Sequence, residues 1–209
     1  MSPELRRVGV ALLWLAGACW LQTPAQAATR DYALDPLHTR IEFDVDHLGF
    51  ARAGGRFPTF EGRLAIDAQA LERSHVEVTV DVAALDLGDA TWERRVLGRL
   101  FFDAERYPHM RFRSTRIEMH DARRGVLHGE LELRGTVRPL ELDFTFNRHA
   151  VDKYTFRDTF GFSATGTLDR RLFGMTRLDP EVGTSVQLRI EVQAYKVRGK
   201  NSQPATRVR

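Results

Sequence analysis

The side chains of this chain that could do chemistry are dispersed along it. Of its seven histidines, His38 and His47 flank one alternating stretch, nine residues apart, with neither a close-spaced partner nor a nearby His/carboxylate cluster of the kind metal motifs show. They read as structural groups, His38 bonding a turn and His47 ending a strand. His75, His109, His120, His128 and His149 fall at turns or on polar faces and read as solvated. The acids Asp44 and Asp46 project from the polar face of a strand, where solvation suffices to explain them. No Gly-x-Ser-x-Gly element and no glycine-rich loop ending in Lys-Ser or Lys-Thr occurs. Cys19 is the one cysteine and lies in the N-terminal apolar run. Nucleophilic, phosphate-cradling and metal chemistry therefore have no local signature. An enzyme would need catalytic residues converging from distant strands.

The elements that position these residues are strands. From His38 to Gly62, Ile41, Phe43, Val45 and His47 share one face and Glu42, Asp44 and Asp46 the other, because side chains alternate along extended backbone. A reversal is expected at Gly54 and Gly55, then a second strand with Phe60, Leu64 and Ile66 inward and a bend at Gly62. A short strand around Tyr32–Leu34, ended by a Pro36 turn, precedes them. Val76, Val78, Val80 and Val82 alternate with Glu77, Thr79 and Asp81 in the clearest strand of the chain. Between Asp89 and Leu100 the spacing changes: Trp92, Val96 and Leu100 recur at helical intervals behind a candidate Asp89 cap. In the next strand the inward parity switches from Met110 and Phe112 to Ile117 and Met119, which requires a bulge near Thr115. A hairpin follows, with Leu127, Leu131 and Leu133 facing Leu140, Leu142, Phe144 and Phe146 across a turn marked by Gly135 and Pro139. Phe160, Phe162, Ala164, Gly166 and Leu168 form the next inward face, and Val186, Leu188, Ile190 and Val192 the last.

About eight amphipathic strands, one helical interruption and no βαβ rhythm give an all-β chain folded as an antiparallel barrel or sandwich. A closed barrel of about eight strands is filled by side chains or holds one small ligand. The small residues Gly129, Ala164 and Gly166 could leave room, while the aliphatic and phenylalanine-rich inward set favours a packed core on composition alone.

Residues 1–27 have the pattern of an export signal: Arg6 and Arg7, an apolar run from Val8 to Leu21, and Ala25-Gln26-Ala27 as the small-x-small cleavage site. The run is short for a membrane span. Ala16-Gly17-Ala18-Cys19 offers a second processing route, a lipoprotein anchored at Cys19. Cleavage after Ala27 leaves about 180 residues, enough for one all-β domain with its own core, and that domain has no cysteine. Residues 28–196 form this domain and 197–209 a basic tail. The net charge is +3, with acids and bases interleaved along the strands, which argues against a nucleic-acid surface.

Several motifs then combine: Tyr32-x-x-Asp35-x-x-His38-Thr39-x-Ile41-x-Phe43-x-Val45-x-His47-x-Gly49; Gly55-x-Phe57-x-x-Phe60-x-Gly62; Phe101-Phe102-Asp103-x-x-x-Tyr107-Pro108-x-x-x-Phe112-x-Ser114-Thr115; and Gly129-x-Leu131-x-Leu133-x-Gly135-x-x-x-Pro139-Leu140. In order and spacing the chain from about Tyr32 to Tyr195 resembles the YceI-like family of periplasmic proteins. The resemblance implies a lipocalin-like antiparallel β-barrel whose apolar cavity binds a polyisoprenoid or isoprenoid quinone without catalysis and with no cofactor beyond that lipid. Two segments depart from the family pattern. Arg95 and Leu97 stand where a histidine and an arginine are common, and Leu172 stands where the family often has an acid.

On this resemblance the expected cavity residues are Phe43, Val45, Val78, Phe112, Leu131, Phe144, Phe162 and Ile190, with His47 and Arg170 as polar contacts to a head group at the mouth. The expected partner is the lipid and the expected location the periplasm. A homodimer, and peripheral membrane contact through the basic tail, are open partner readings. Two other classes stay open beside the carrier: a packed barrel serving as a stress-protective or interaction module, and a barrel enzyme.

Overall fold

A computed structural model describes residues 29–197. The export segment, the Cys19 alternative and the basic tail fall outside these residues. Ten strands, β1 (Arg30–Leu34), β2 (Arg40–His47), β3 (Ala51–Arg56), β4 (Phe60–Ile66), β5 (His75–Asp81), β6 (His109–Met119), β7 (Arg124–Leu133), β8 (Thr136–Val151), β9 (Asp158–Asp169) and β10 (Val182–Lys196), form one antiparallel sheet with a single helix, α1 (Ala90–Leu97). Two of the barrel's eight staves are each built from two strands. β1 and β2 lie end to end along the same edge of β10, Tyr32 opposite Lys196 and Ile41 opposite Ile190. β3 and β4 lie end to end along β2 and β1 in turn. Counted so, the ring is an eight-stave antiparallel barrel, closed through β1–β10 and β1–β4.

The two ends of the barrel are finished differently. At the end where β10 terminates, Tyr32, Leu34, Leu64, Ile66, Phe160 and Ala194 pack into a buried cluster, with Phe160 1% and Ala194 0% exposed. The β4–β5 connection is folded over this end by Asp67, which accepts hydrogen bonds from the Gln69 and Ala70 amides and from Arg73 Nε. Tyr32 donates to Asp158 Oδ2 at 2.8 Å, and His149 Nε2 lies 2.6 Å from Asp158 Oδ1. Burial and this bond raise the Tyr32 phenol to about 12. Burial would raise the Asp158 carboxyl, but the bonds from Tyr32 and His149 outweigh it and hold the group below its ordinary value.

At the opposite end the ladder does not close. β3 pairs with β2 on one edge, and on the other it has only the isolated Arg56–Asp86 bridge. The connection from β5 to β6, with α1 inside it, spans that gap. Asp89 caps α1 as expected, accepting from the Thr91 and Trp92 amides. No residue of α1 is buried, and no described helix is long and apolar enough to cross a membrane.

Most of the expected strands are present, and the bulge expected near Thr115 is there, the β6–β7 register shifting between Ser114 and Arg116. The expected reversal at Gly54 and Gly55 is not. These glycines lie inside β3, opposite Asp44 and Phe43, and the chain turns instead at Leu48-Gly49-Phe50. A Cβ at Gly55 would run into the Phe43 ring and Leu87, so glycine here serves close packing within a strand. Pro139 is likewise not in a turn. It lies in β8 opposite Glu130, and the hairpin turns at Arg134 and Gly135, both with positive φ. The imidazoles read as solvated include two that are engaged: His149, stacked on Phe160 with ring centroids 3.9 Å apart, and His128, whose Nδ1 is 3.0 Å from Glu141.

Candidate functional site: an apolar lumen with one open end

Inward side chains from all around the ring leave a cavity of about 490 Å³ along the barrel axis. All ten residues expected at the site border it: Phe43, Val45 and His47 on β2, Val78 on β5, Phe112 on β6, Leu131 on β7, Phe144 on β8, Phe162 on β9, Arg170 just beyond β9, and Ile190 on β10. The parity of each strand brings them together, since every second residue of an antiparallel stave faces the axis. The lumen is therefore hollow, where composition alone favoured a packed core. The small residues do not make the space: a Cβ on Gly129 would collide with the Phe112 ring, and one on Gly166 with Leu142, so neighbouring side chains already occupy those positions.

The cavity opens at one end only. Of the residues that line it, Gly54, Trp92, Arg95 and Leu178 are exposed, and all four lie at the end carrying the β2–β3 turn, α1 and the loop before β10. The lining residues at the other end, such as Leu34, Ile66 and Ser74, are buried. His47 is half-buried at the open end with its ring against Trp92, centroids 5.6 Å apart. Arg95 reaches the same rim from α1 and forms no ion pair among the described residues.

Arg170 has a different part from the one expected of it. The residue is 3% exposed, and its guanidinium donates from Nε to the Gly183 carbonyl at 2.9 Å, from Nη1 to the Met175 and Arg177 carbonyls, and from Nη2 to those of Val182 at 2.6 Å and Leu178 at 3.5 Å. A guanidinium has five N–H donors, and here all five go to backbone oxygens. Burial lowers its pKa, opposed by the nearby Asp179 and Asp169. Arg170 is thus the centre around which the 175–183 loop is wrapped, with no donor left for a head group.

Sequence reasoning missed Trp92, Arg95 and Leu178 as rim residues. The helical spacing of Trp92 and Val96 was the available signal for the first. Leu178 sits in a loop whose path is set by Arg170, which no pattern of residue types announces. Among the described residues there is no cluster of three metal-ligating side chains.

The architecture can be set against known proteins. The YceI-like domain matches residues 32–194, most of the chain and nearly all of the barrel. The chain belongs to the YceI-like family. Curated relatives agree along nearly their full length: the UPF0312 protein of Pseudomonas savastanoi pv. phaseolicola is 28% identical over 192 residues, covering 91% of this chain and 98% of the relative. A UPF0312 protein of Vibrio parahaemolyticus is 31% identical over 193 residues with the same coverage. Among solved structures, BcnA of Burkholderia cenocepacia superposes with a TM-score of 0.69 at 21% identity, covering 77% of this chain and 98% of its own. A polyisoprenoid binding domain from Saccharophagus degradans superposes with a TM-score of 0.58 at 12% identity, covering 79% and 98%. At such identities these structures establish that the YceI-like barrel is shared. The two departures from the family pattern both lie toward the open end, Arg95 at the rim itself and Leu172 exposed on the loop beyond β9.

Proposed function

We propose that this YceI-like protein is a carrier or sequestering protein for a polyisoprenoid or isoprenoid-quinone-type lipid, acting by binding rather than catalysis. The observation that carries the reading is the continuous apolar cavity, about 490 Å³ and open at one end, within the size range of small-ligand sites. Each methylene moved from water into it contributes about 0.8 kcal/mol, so about ten supply roughly 8 kcal/mol before ordering costs. The lumen alone can hold an isoprenoid tail, with Phe43, Val45, Val78, Phe112, Leu131, Phe144, Phe162 and Ile190 as its walls. His47 is the polar group at the mouth. The polyisoprenoid binding domain that shares the fold supports this choice of ligand class. The basic, apolar and small-residue sequence of positions 1–27 supports export to the periplasm.

Native mass spectrometry of the protein purified from periplasm tests the reading. A co-purified lipid adduct, lost on organic extraction, is the expected result. A barrel that is repeatedly empty, and that takes up no isoprenoid on incubation, would overturn it.

A further inference from the structure

The open end carries a group of apolar side chains that the barrel does not need. Phe50 is 89% exposed, Leu48 50%, Leu178 45% and Trp92 39%. They are neighbours through His47. Leu48 and Phe50 belong to the turn that follows it, and the Phe50 amide donates to the His47 carbonyl. Trp92 packs on the His47 ring. The Leu48 amide donates to the Glu181 carbonyl at 2.8 Å, and Val182, which pairs with His47, bonds back to Leu178. Two of the four, Trp92 and Leu178, also line the cavity.

The backbone makes the presence of two of them costly. Leu48 has φ of 59° and Leu178 of 57°, in the left-handed region that glycine and asparagine enter readily and a bulky residue does not. Both side chains stay about half exposed, and since Phe156 at the closed end shares this backbone conformation, it is their position around the cavity mouth that sets Leu48 and Leu178 apart. An apolar group is held out at the mouth at some expense to the fold. The rim charges nearly balance: Arg52, Arg94, Arg95 and Arg177 stand against Asp46, Asp89, Glu93, Asp179 and Glu181.

We propose that the open end is a bilayer-docking surface, in which Leu48, Phe50 and Leu178 enter the interfacial region of a membrane so that the cavity mouth opens against lipid. The occupant is a lipid bilayer rather than a protein face because the exposed apolar groups, carried by the β2–β3 turn, α1 and the loop before β10, lie at the mouth of an apolar cavity. A water-insoluble ligand must pass them to enter or leave. Because the rim charges nearly cancel, attachment is apolar and depends little on head-group charge or salt. The inference rests on reading the cavity as a lipid site. It adds where and how the lipid is exchanged.

The test is flotation of the protein as isolated with phosphatidylcholine/phosphatidylethanolamine vesicles, with and without phosphatidylglycerol, at low and high salt. Binding to both vesicle types at both salt levels is expected. Phe50→Ser combined with Leu178→Asn should reduce it about tenfold or more, since two apolar anchors are lost. Asparagine suits the left-handed backbone at 178, and Phe50→Ser alone, at an exposed tip, serves as the second variant. Tyr154→Ser with Phe156→Ser, which removes exposed apolar groups from the closed end, should leave flotation unchanged. The proposal is overturned by absence of flotation, by equal flotation of the rim variants, by an equal loss in the closed-end variant, or by attachment that salt abolishes. Mass spectrometry of the same preparations separates the two readings. Lipid-loaded protein that does not float removes the docking surface and leaves the carrier, whereas empty protein that floats does the reverse.

Discussion

The two ends of this barrel are made from similar residues and behave differently. At the closed end Tyr32, Leu64, Ile66 and Phe160 interdigitate, and a polar group, Asp158, is admitted only with Tyr32 and His149 bonded to it. At the open end Phe43, Val45 and Trp92 are no less apolar, yet they border empty space or solvent. The ladder also differs between the ends: β1, β4 and β5 pair in sequence at the closed one, whereas at the open one β3 has only the Arg56–Asp86 bridge on its outer edge. Apolar residues on the inner face of one sheet thus pack into a core at one end and wall a lumen along the rest of the axis.

Truncation should expose the contrast most strongly. Phe160→Ala removes a side chain that is 1% exposed and contacts Tyr32, Phe146, Phe162 and His149, and should cost about 3–5 kcal/mol in urea unfolding. A cost below about 1 kcal/mol would mean that the closed end is no better packed than the lumen. A matched pair of alanines sharpens the comparison. Ala194, wholly buried on β10, and Ala164, which faces the cavity from β9, differ mainly in the space beside them. Ala194→Leu should destabilise by about 1–3 kcal/mol through overpacking. Ala164→Leu should cost less than about 0.5 kcal/mol and show its effect as reduced lipid loading in native mass spectra. Tyr32→Phe removes one bond to an ionised carboxylate and should cost about 1.5 kcal/mol near neutral pH. Its pH dependence has a definite sign. Asp158 is held below its ordinary pKa in the folded state, so its contribution is complete above the unfolded-state value and is lost as pH falls through the folded one. The gap between wild type and variant in thermal melts should close on acidification.

Much of this architecture is legible in the residue pattern, and the remainder fails for identifiable reasons. The alternation of Val76, Val78 and Val80 reports β5 directly, the parity switch around Thr115 reports the β6 bulge, and Asp89 reports the start of α1. The nine site residues that lie on strands border the cavity because parity alone puts a side chain inside or outside a barrel. β3 escaped because Ala51-Arg52-Ala53-Gly54-Gly55-Arg56 has no large apolar residue; it is a strand because β2 pairs with it, which is a tertiary fact. Arg170 was misassigned because a lone arginine after a strand looks the same whether it faces a ligand or gathers a loop. The hollowness of the lumen was illegible for a similar reason, since it depends on how the staves sit around the axis and not on a residue type.

The staves built from two strands have a consequence for how such a protein could be altered. Because β1 and β2 each hold their own stretch of β10, with β4 and β3 beside them, the breaks between the half-strands divide the wall into two panels. One panel closes the barrel, and the other, with α1, frames the opening. A longer β2–β3 turn or a remodelled helix would retune what the opening admits without disturbing the register of the sealed panel. In engineering terms this is a vessel with an exchangeable neck, and selectivity can be rebuilt there while the body of the barrel stays as it is.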